Sequence, residues 1–230
     1  MIPGQHRMKG GAPQLGTEEP GPLGTWAEED DQDQVGARLN WELTPLEGVG
    51  PLCFGMRINE VAAVLLGMTE LRRFQADPSF REILGVEFGT GRAEPAVFAY
   101  FVDGRLSCVA LDAVHGASGE ALGRELTACI PADLERFLLH AHWCGVLDVS
   151  YGLRGNPGVN GLGLVLRVQD GVGGVATRPV MVGRAWADRC TDDWEGAIPE
   201  CEWVGRQWAH PGETRLWPAE PEGDDSSAAS

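Results

Sequence analysis

Residues 96–114, "AVFAYFVDGRLSCVALDAV", decide the reading of this chain. Two runs rich in valine and aromatic residues flank Asp103-Gly104, a dipeptide that favours a tight type I′ turn. Placing Val102 opposite Arg105 puts Val97, Ala99, Phe101, Leu106, Cys108 and Ala110 on one face, which is apolar throughout. Phe98, Tyr100, Val102, Arg105, Ser107 and Val109 fall on the other, mixed face. A slip of one residue would exchange the two faces, so burial is expected to fix this register and make the hairpin a sheet core.

Downstream, "IPADLERFLLHAHWCG" (130–145) predicts a helix with Leu134, Phe137, Leu138 and Ala141 in an i, i+3, i+4, i+7 stripe. Pro131 suits its first turn, Asp133 and Glu135 favour the positive end of the helix dipole, and Gly145 can close it. Three extended runs follow, "VLDVSY", "GLGLVLRVQ" and "VATRPVMVG", joined by the Gly-rich loops "GLRGNPGVNG" and "DGVGG". Upstream, "LNWEL" (39–43) suggests a short strand, and "GVGPLCFGMRINEVAAVLLG" (48–67) a Gly-rich turn that runs into about two turns of amphipathic helix, with Phe54, Ile58, Val61 and Leu65 facing the core and Gly67 as the stop. "MTELRRFQADPSFREILG" (68–85) is expected to be a helical piece and a second short helix or turn, divided by Pro78. Sequential strands with short loops imply an α+β fold: an antiparallel sheet of about five to six strands with two to three helices packed on one face.

Residues 1–38 are rich in Gly, Pro, Gln and acids and include "EEDDQDQ"; they and residues 218–230 have too little to bury and are expected to be disordered acidic tails. Residues 39–217 then form a single domain, and with 43% hydrophobic residues it can build a core without staples. The domain ends in a segment, 186–217, that holds five of the chain's eight tryptophans among many acids.

Charge narrows the function classes. Thirty-four acidic side chains against eighteen basic ones give a net charge of −16. Such a field repels phosphate backbones and anionic lipid and attracts basic partners, so direct nucleic-acid and membrane binding are disfavoured. There is neither an apolar run of the roughly 18 residues that span a membrane nor an N-terminal secretory pattern, and the cytoplasm is the expected compartment. Lys9 is the only lysine, a bias that fits coding by a GC-rich genome such as an actinobacterium's.

Candidate chemistry is thin. In "HAHWC", His140 and His142 project about 200° apart on a helix and cannot share an ion. His140 and Cys144 share a face, but zinc needs two more ligands, which His115, Cys129 or His210 would have to bring from elsewhere. The six cysteines contain no CxxC pair and read as free thiols; a Cys190–Cys201 disulfide would follow only from export. No cysteine has a local base and orienting carboxylate. The loop "GLRGNPGVNGLG" lacks Gly-Lys-Ser/Thr and leads into a strand, so it is a hairpin loop and not a phosphate cradle. No catalytic residue, metal or cofactor is assigned.

Gly55-Met56, Val61 and Leu66-Gly67, followed by the hairpin "YFVDGRLSCV", resemble the small α+β domains of the β-lactamase-inhibitor-protein and outer-membrane-assembly-lipoprotein type. In those domains a Gly-Met pair and a Ser/Thr lead into a helix that ends at Leu-Gly, and an antiparallel sheet follows. The chain is also similar to actinobacterial proteins with this opening, among which an immunity role in toxin systems comes into view. The resemblance implies a binding domain without catalysis. It departs at Arg57, which stands where the pattern has a Ser/Thr N-cap; Glu60 can still reach back in half a capping box.

The expected function is a non-catalytic intracellular protein of immunity or antitoxin type that neutralises a basic protein partner by steric occlusion. Asp192, Asp193, Trp194, Glu195, Glu200, Glu202 and Trp203 are its expected contacts, the acids steering encounter and the tryptophans supplying anchors. Two alternatives are a hydrolase or transferase with a His/Cys cleft and a structural or assembly component of a larger bacterial complex.

Overall fold

The computed structural model describes residues 38–91, 94–152, 154–171, 174–192, 198–203 and 208. The tails expected at 1–38 and 218–230 therefore lie, Arg38 apart, outside the described residues. Strands β1 (Asn40–Thr44), β2 (Gly48–Val49) and β3 (Leu52–Cys53) lead to helix α1 (Ile58–Val64). Strands β4 (Thr69–Gln75), β5 (Leu84–Gly89), β6 (Val97–Val102) and β7 (Arg105–Leu111) form an antiparallel meander. Strands β8 (Ser118–Ala121) and β9 (Arg124–Glu125) precede helix α2 (Pro131–Trp143). Strands β10 (Val149–Tyr151), β11 (Pro157–Val159), β12 (Leu164–Gly171) and β13 (Gly174–Val182) follow, and the one-turn helix α3 (Glu200–Trp203) is the last element among the described residues.

The fold is α+β and mostly antiparallel, as expected, but it holds more sheet than the sequence suggested. Among the described residues one sheet has eight strands in the order β10-β11-β12-β13-β7-β6-β5-β4, and a second has five in the order β3-β2-β1-β8-β9. Two readings are corrected here. Residues 68–85 are not helical: β4 and the start of β5 occupy them, joined by a turn that Asp77 caps, its Oδ1 accepting from the N–H groups of Ser79 and Phe80. The Gly-rich stretches are not plain turns either: β2 and β3 form in the entry at 48–53, ahead of α1, and β11 forms inside "GLRGNPGVNG".

The hairpin forms where expected. Val102 pairs with Arg105, and Asp103 and Gly104 take φ values of 50° and 71°, the left-handed pair of a type I′ turn. The faces then depart from expectation, because the register shifts between Tyr100 and Phe101 and Tyr100 pairs with Cys108. Ser107 is the extra residue of this bulge, its hydroxyl donating to the Tyr100 carbonyl at 3.1 Å. Beyond it Val109 and Leu111 join Val97, Ala99 and Phe101, while Cys108 and Ala110 turn to the face of Phe98 and Tyr100. Alternation could not reveal this, since both faces are buried.

The eight-stranded sheet therefore has two cores. Val86, Phe88, Ala99, Phe101, Val109, Leu166 and Met181 face the larger one, together with Trp41 and Leu43 of the small sheet, Val61 of α1 and its C-cap Leu65, and Leu134 and Leu138 of α2. On the opposite face Tyr100, Cys108, Val165, Val180 and Val182 meet Cys190, Ile198 and Trp203. Helices thus lie on both faces: α1 and α2 on one, α3 on the other. At the head of α1 the Glu60 carboxylate accepts from the Arg57 N–H at 2.6 Å, the half capping box left to a chain with no hydroxyl at that position.

Candidate functional site

The second core is incomplete, and its open part is a groove of about 420 Å³. Strand register explains its lining. One row runs Arg72, Glu87, Phe98, Ala110 across β4, β5, β6 and β7, and the next runs Phe74, Gly85, Tyr100, Cys108. Arg178 of β13 pairs with Arg167 of β12 beside them. All these side chains share one face, and α3 closes the groove with Cys201 and Glu202. Gly85 matters in particular: a Cβ there would stand 2.5 Å from the Phe74 ring, so only glycine lets that ring lie flat on β5.

Arg178 is the centre of the polar wall. Its Nε and Nη2 donate to the two oxygens of Glu202 at 3.1 and 2.7 Å, a bidentate fork. Nη1 donates to Gln169 Oε1 at 3.2 Å and lies 3.7 Å from Asp112 Oδ2, and the guanidinium stacks 4.1 Å from the Phe98 ring centre. Gln169 closes the circuit by donating to Asp112 Oδ2 at 3.1 Å. Tyr100 donates its hydroxyl to the same Glu202, and Trp203 lies under the Arg167 guanidinium at 5.1 Å. At the outer rim Arg72 forks onto Glu87 and stacks 4.8 Å from Phe74.

Burial would by itself lower the Arg178 pKa, but Glu202, Tyr100 and Asp112 together raise it, so the guanidinium stays charged. Burial and the neighbouring Glu202 carboxylate push the Tyr100 hydroxyl well up. The same two causes take the Cys201 thiol to about 12. At neutral pH the groove thus presents a neutral thiol and phenol, neither of them an activated nucleophile.

A different surface lies on the five-stranded sheet. Glu42 pairs with Glu120 across the parallel β1–β8 contact, and Glu120 with Glu125 across β8–β9. Partners in register share a face, so three carboxylates stand in a row on three adjacent strands. Asn40 Nδ2 donates to Glu120 Oε2 at 3.1 Å and Ser118 Oγ to Glu125 Oε1 at 2.7 Å. Among the described residues none of the three acids has an ion-pair partner.

Of the contacts expected from sequence, Asp193, Trp194 and Glu195 lie outside the described residues. Asp192 follows the 3-10 segment Arg184–Arg189, its N–H donating to the Arg189 carbonyl at 3.1 Å. Glu200 opens α3, its N–H donating to Asp77 Oδ2 at 2.9 Å. Glu202 and Trp203 are interior, 5% and 2% exposed, held by Arg178 and Arg167. The structure thus brings Glu200, Glu202 and Trp203 together on one helix and turns the last two inward. Arg167, Arg178 and Glu87 were missed, although the sequence signals each as a charge inside an otherwise apolar strand. His140 Nε2 lies 3.8 Å from Cys144 Sγ, while His142 turns to the loop, its Nδ1 accepting from the Val149 N–H at 3.2 Å. Among the described residues no group of three or more His, Cys, Asp or Glu is placed to hold a metal, and no described helix is long and apolar enough to cross a membrane. No family model, curated protein or solved structure matches the chain.

Proposed function

We propose that this protein is a non-catalytic binding protein of immunity or antitoxin type, which neutralises a basic protein partner by steric occlusion in the cytoplasm. The observation that carries this reading is the carboxylate row Glu42–Glu120–Glu125. Like charges directly opposite one another in a sheet are destabilising by a few tenths of a kcal/mol per pair or more. A basic partner would turn that cost into attraction, and the net charge of −16 would steer its approach. The groove supports binding over catalysis, since its thiol and phenol are held protonated and Glu202 and Glu87 are bound to arginines. Six free thiols support the reducing compartment.

Affinity purification with the full chain, followed by calorimetry of the recovered protein at rising ionic strength, tests the reading. The expected partner is a basic protein whose affinity falls with salt and whose association slows against an E42Q/E120Q/E125Q variant. Recovery of no partner, or of one indifferent to salt and to those three changes, refutes it.

A further inference from the structure

We propose that Arg178 and Tyr100 form a carboxylate-binding site which Glu202 occupies in cis, so that α3 blocks the groove until an external carboxylate takes the place of Glu202. This site lies apart from the acidic row on the small sheet, and its failure and that of the binding-protein reading are separately visible.

The receptor and its occupant belong to different parts of the fold. Arg178 sits on β13, backed by Gln169 on β12 and by Asp112 just after β7, and flattened against Phe98 on β6. Tyr100 on β6 is fixed by the Phe74 ring, edge-on at 6.3 Å. None of these restraints involves Glu202, so the fork of Arg178 keeps its aim when Glu202 leaves. Glu202 rides instead on a four-residue helix off the sheet, anchored by the Glu200 N–H on Asp77 and the Cys201 N–H on the Ala76 carbonyl at 3.4 Å.

The bound group is read from the donors. A planar fork with a hydroxyl added on one oxygen, as Arg178 and Tyr100 supply here, matches a carboxylate better than a spherical anion. Access is built in, because Glu202 and Cys201 are themselves one wall of the open groove. The lining sets Arg72, Arg167 and Arg178 against Glu87, Asp170 and Glu202, so withdrawing Glu202 leaves its arginines one in excess and opens a local site for an anion in a chain whose net charge is −16. The occupant in cis also spares the fold a buried guanidinium held only by Asp112 and Gln169 while no ligand is present. An incoming carboxylate replaces the two arginine bonds and the tyrosine bond one for one and releases the Glu202 side chain from the sheet.

The test is chemical rescue in the full chain. E202A should lower the thermal midpoint by on the order of 10 °C. Sodium formate should restore most of that loss with a saturating dose response, whereas chloride at equal ionic strength should not. N-acetylglutamyl amide in place of formate tells whether a side chain on a polypeptide serves as well as a free anion. Adding R178M to E202A should abolish the response. Equal effects of formate and chloride, or a formate response that survives R178M, overturn the proposal. Should E202A fail to fold, E202Q keeps the side chain's size, and nitrogen NMR of the Arg178 guanidinium then reads the site. Formate should shift that signal to saturation in E202Q while the unsubstituted chain responds weakly; identical responses in both overturn the proposal.

Discussion

On one face of the eight-stranded sheet, Phe88, Phe101, Val109 and Leu166 meet Val61 of α1 and the leucines of α2, and stability comes from area removed from water. On the other, Arg178, Glu202, Tyr100 and Asp112 meet across the sheet, and stability depends on each member having its partner. The two faces should fail differently. Trimming the apolar face leaves a cavity whose cost scales with its volume. Removing one member of the polar face strands a buried charge.

The largest single effect is therefore expected from E202A, which leaves Arg178 buried with only Asp112 and Gln169 for company. It should cost about 3–5 kcal/mol in urea unfolding. A cost below 1 kcal/mol would mean that water reaches the pair and that the face is not polar in the sense argued. L138A on α2 samples the other face at a fully buried position and should cost about 3 kcal/mol. It should leave the salt dependence of stability unchanged, whereas E202A should alter it. G85A sharpens the contrast at the groove floor: the new Cβ must push the Phe74 ring aside, at about 1–3 kcal/mol. Its diagnostic outcome is exposure of Phe74 with the Arg178–Glu202 fork intact.

R57S lies outside both faces' cores and should raise stability by about 1 kcal/mol by restoring an N-cap acceptor at the head of α1. No gain would show that the Glu60 carboxylate already suffices there. The smallest effect at neutral pH belongs to the thiols of the polar face. Cys190 and Cys201 are both taken to about 12, chiefly by burial, against an ordinary thiol value of 9.0. A group whose folded pKa is raised contributes fully below its unfolded pKa, and that contribution is lost as pH climbs to the folded value. Stability should thus be flat to about pH 9 and fall from there to about 12. A C190A/C201A variant should show a shallower alkaline fall than its parent.

The two faces also differ in how far the sequence disclosed them. The apolar face was legible: the hairpin turn at Asp103-Gly104, the α2 stripe and the burial of Val61 and Leu65 all follow from periodicity and turn chemistry. The bulge at Ser107 was not, because alternation loses its meaning when both faces are buried. Residues 68–85 misled because β4 is an edge strand with charges on both sides. Glu70 and Arg73 lie three apart and still share a face through a second bulge, joined by bonds of 2.6 and 2.8 Å. The groove was half legible. Glu202 and Trp203 stood out by composition, which could not tell an outward contact from an inward anchor. Their partners Arg167 and Arg178 lie 36 positions before Trp203 and 24 before Glu202, and only the sheet register brings them to α3.

A double-mutant cycle on Arg178 and Glu202, with R178M, E202L and the double variant unfolded in urea, tests the polar face most directly. Each single change should cost several kcal/mol, and the double should recover most of it, giving a coupling of about 3 kcal/mol. A coupling near zero, with the double costing the sum of the singles, would contradict the account.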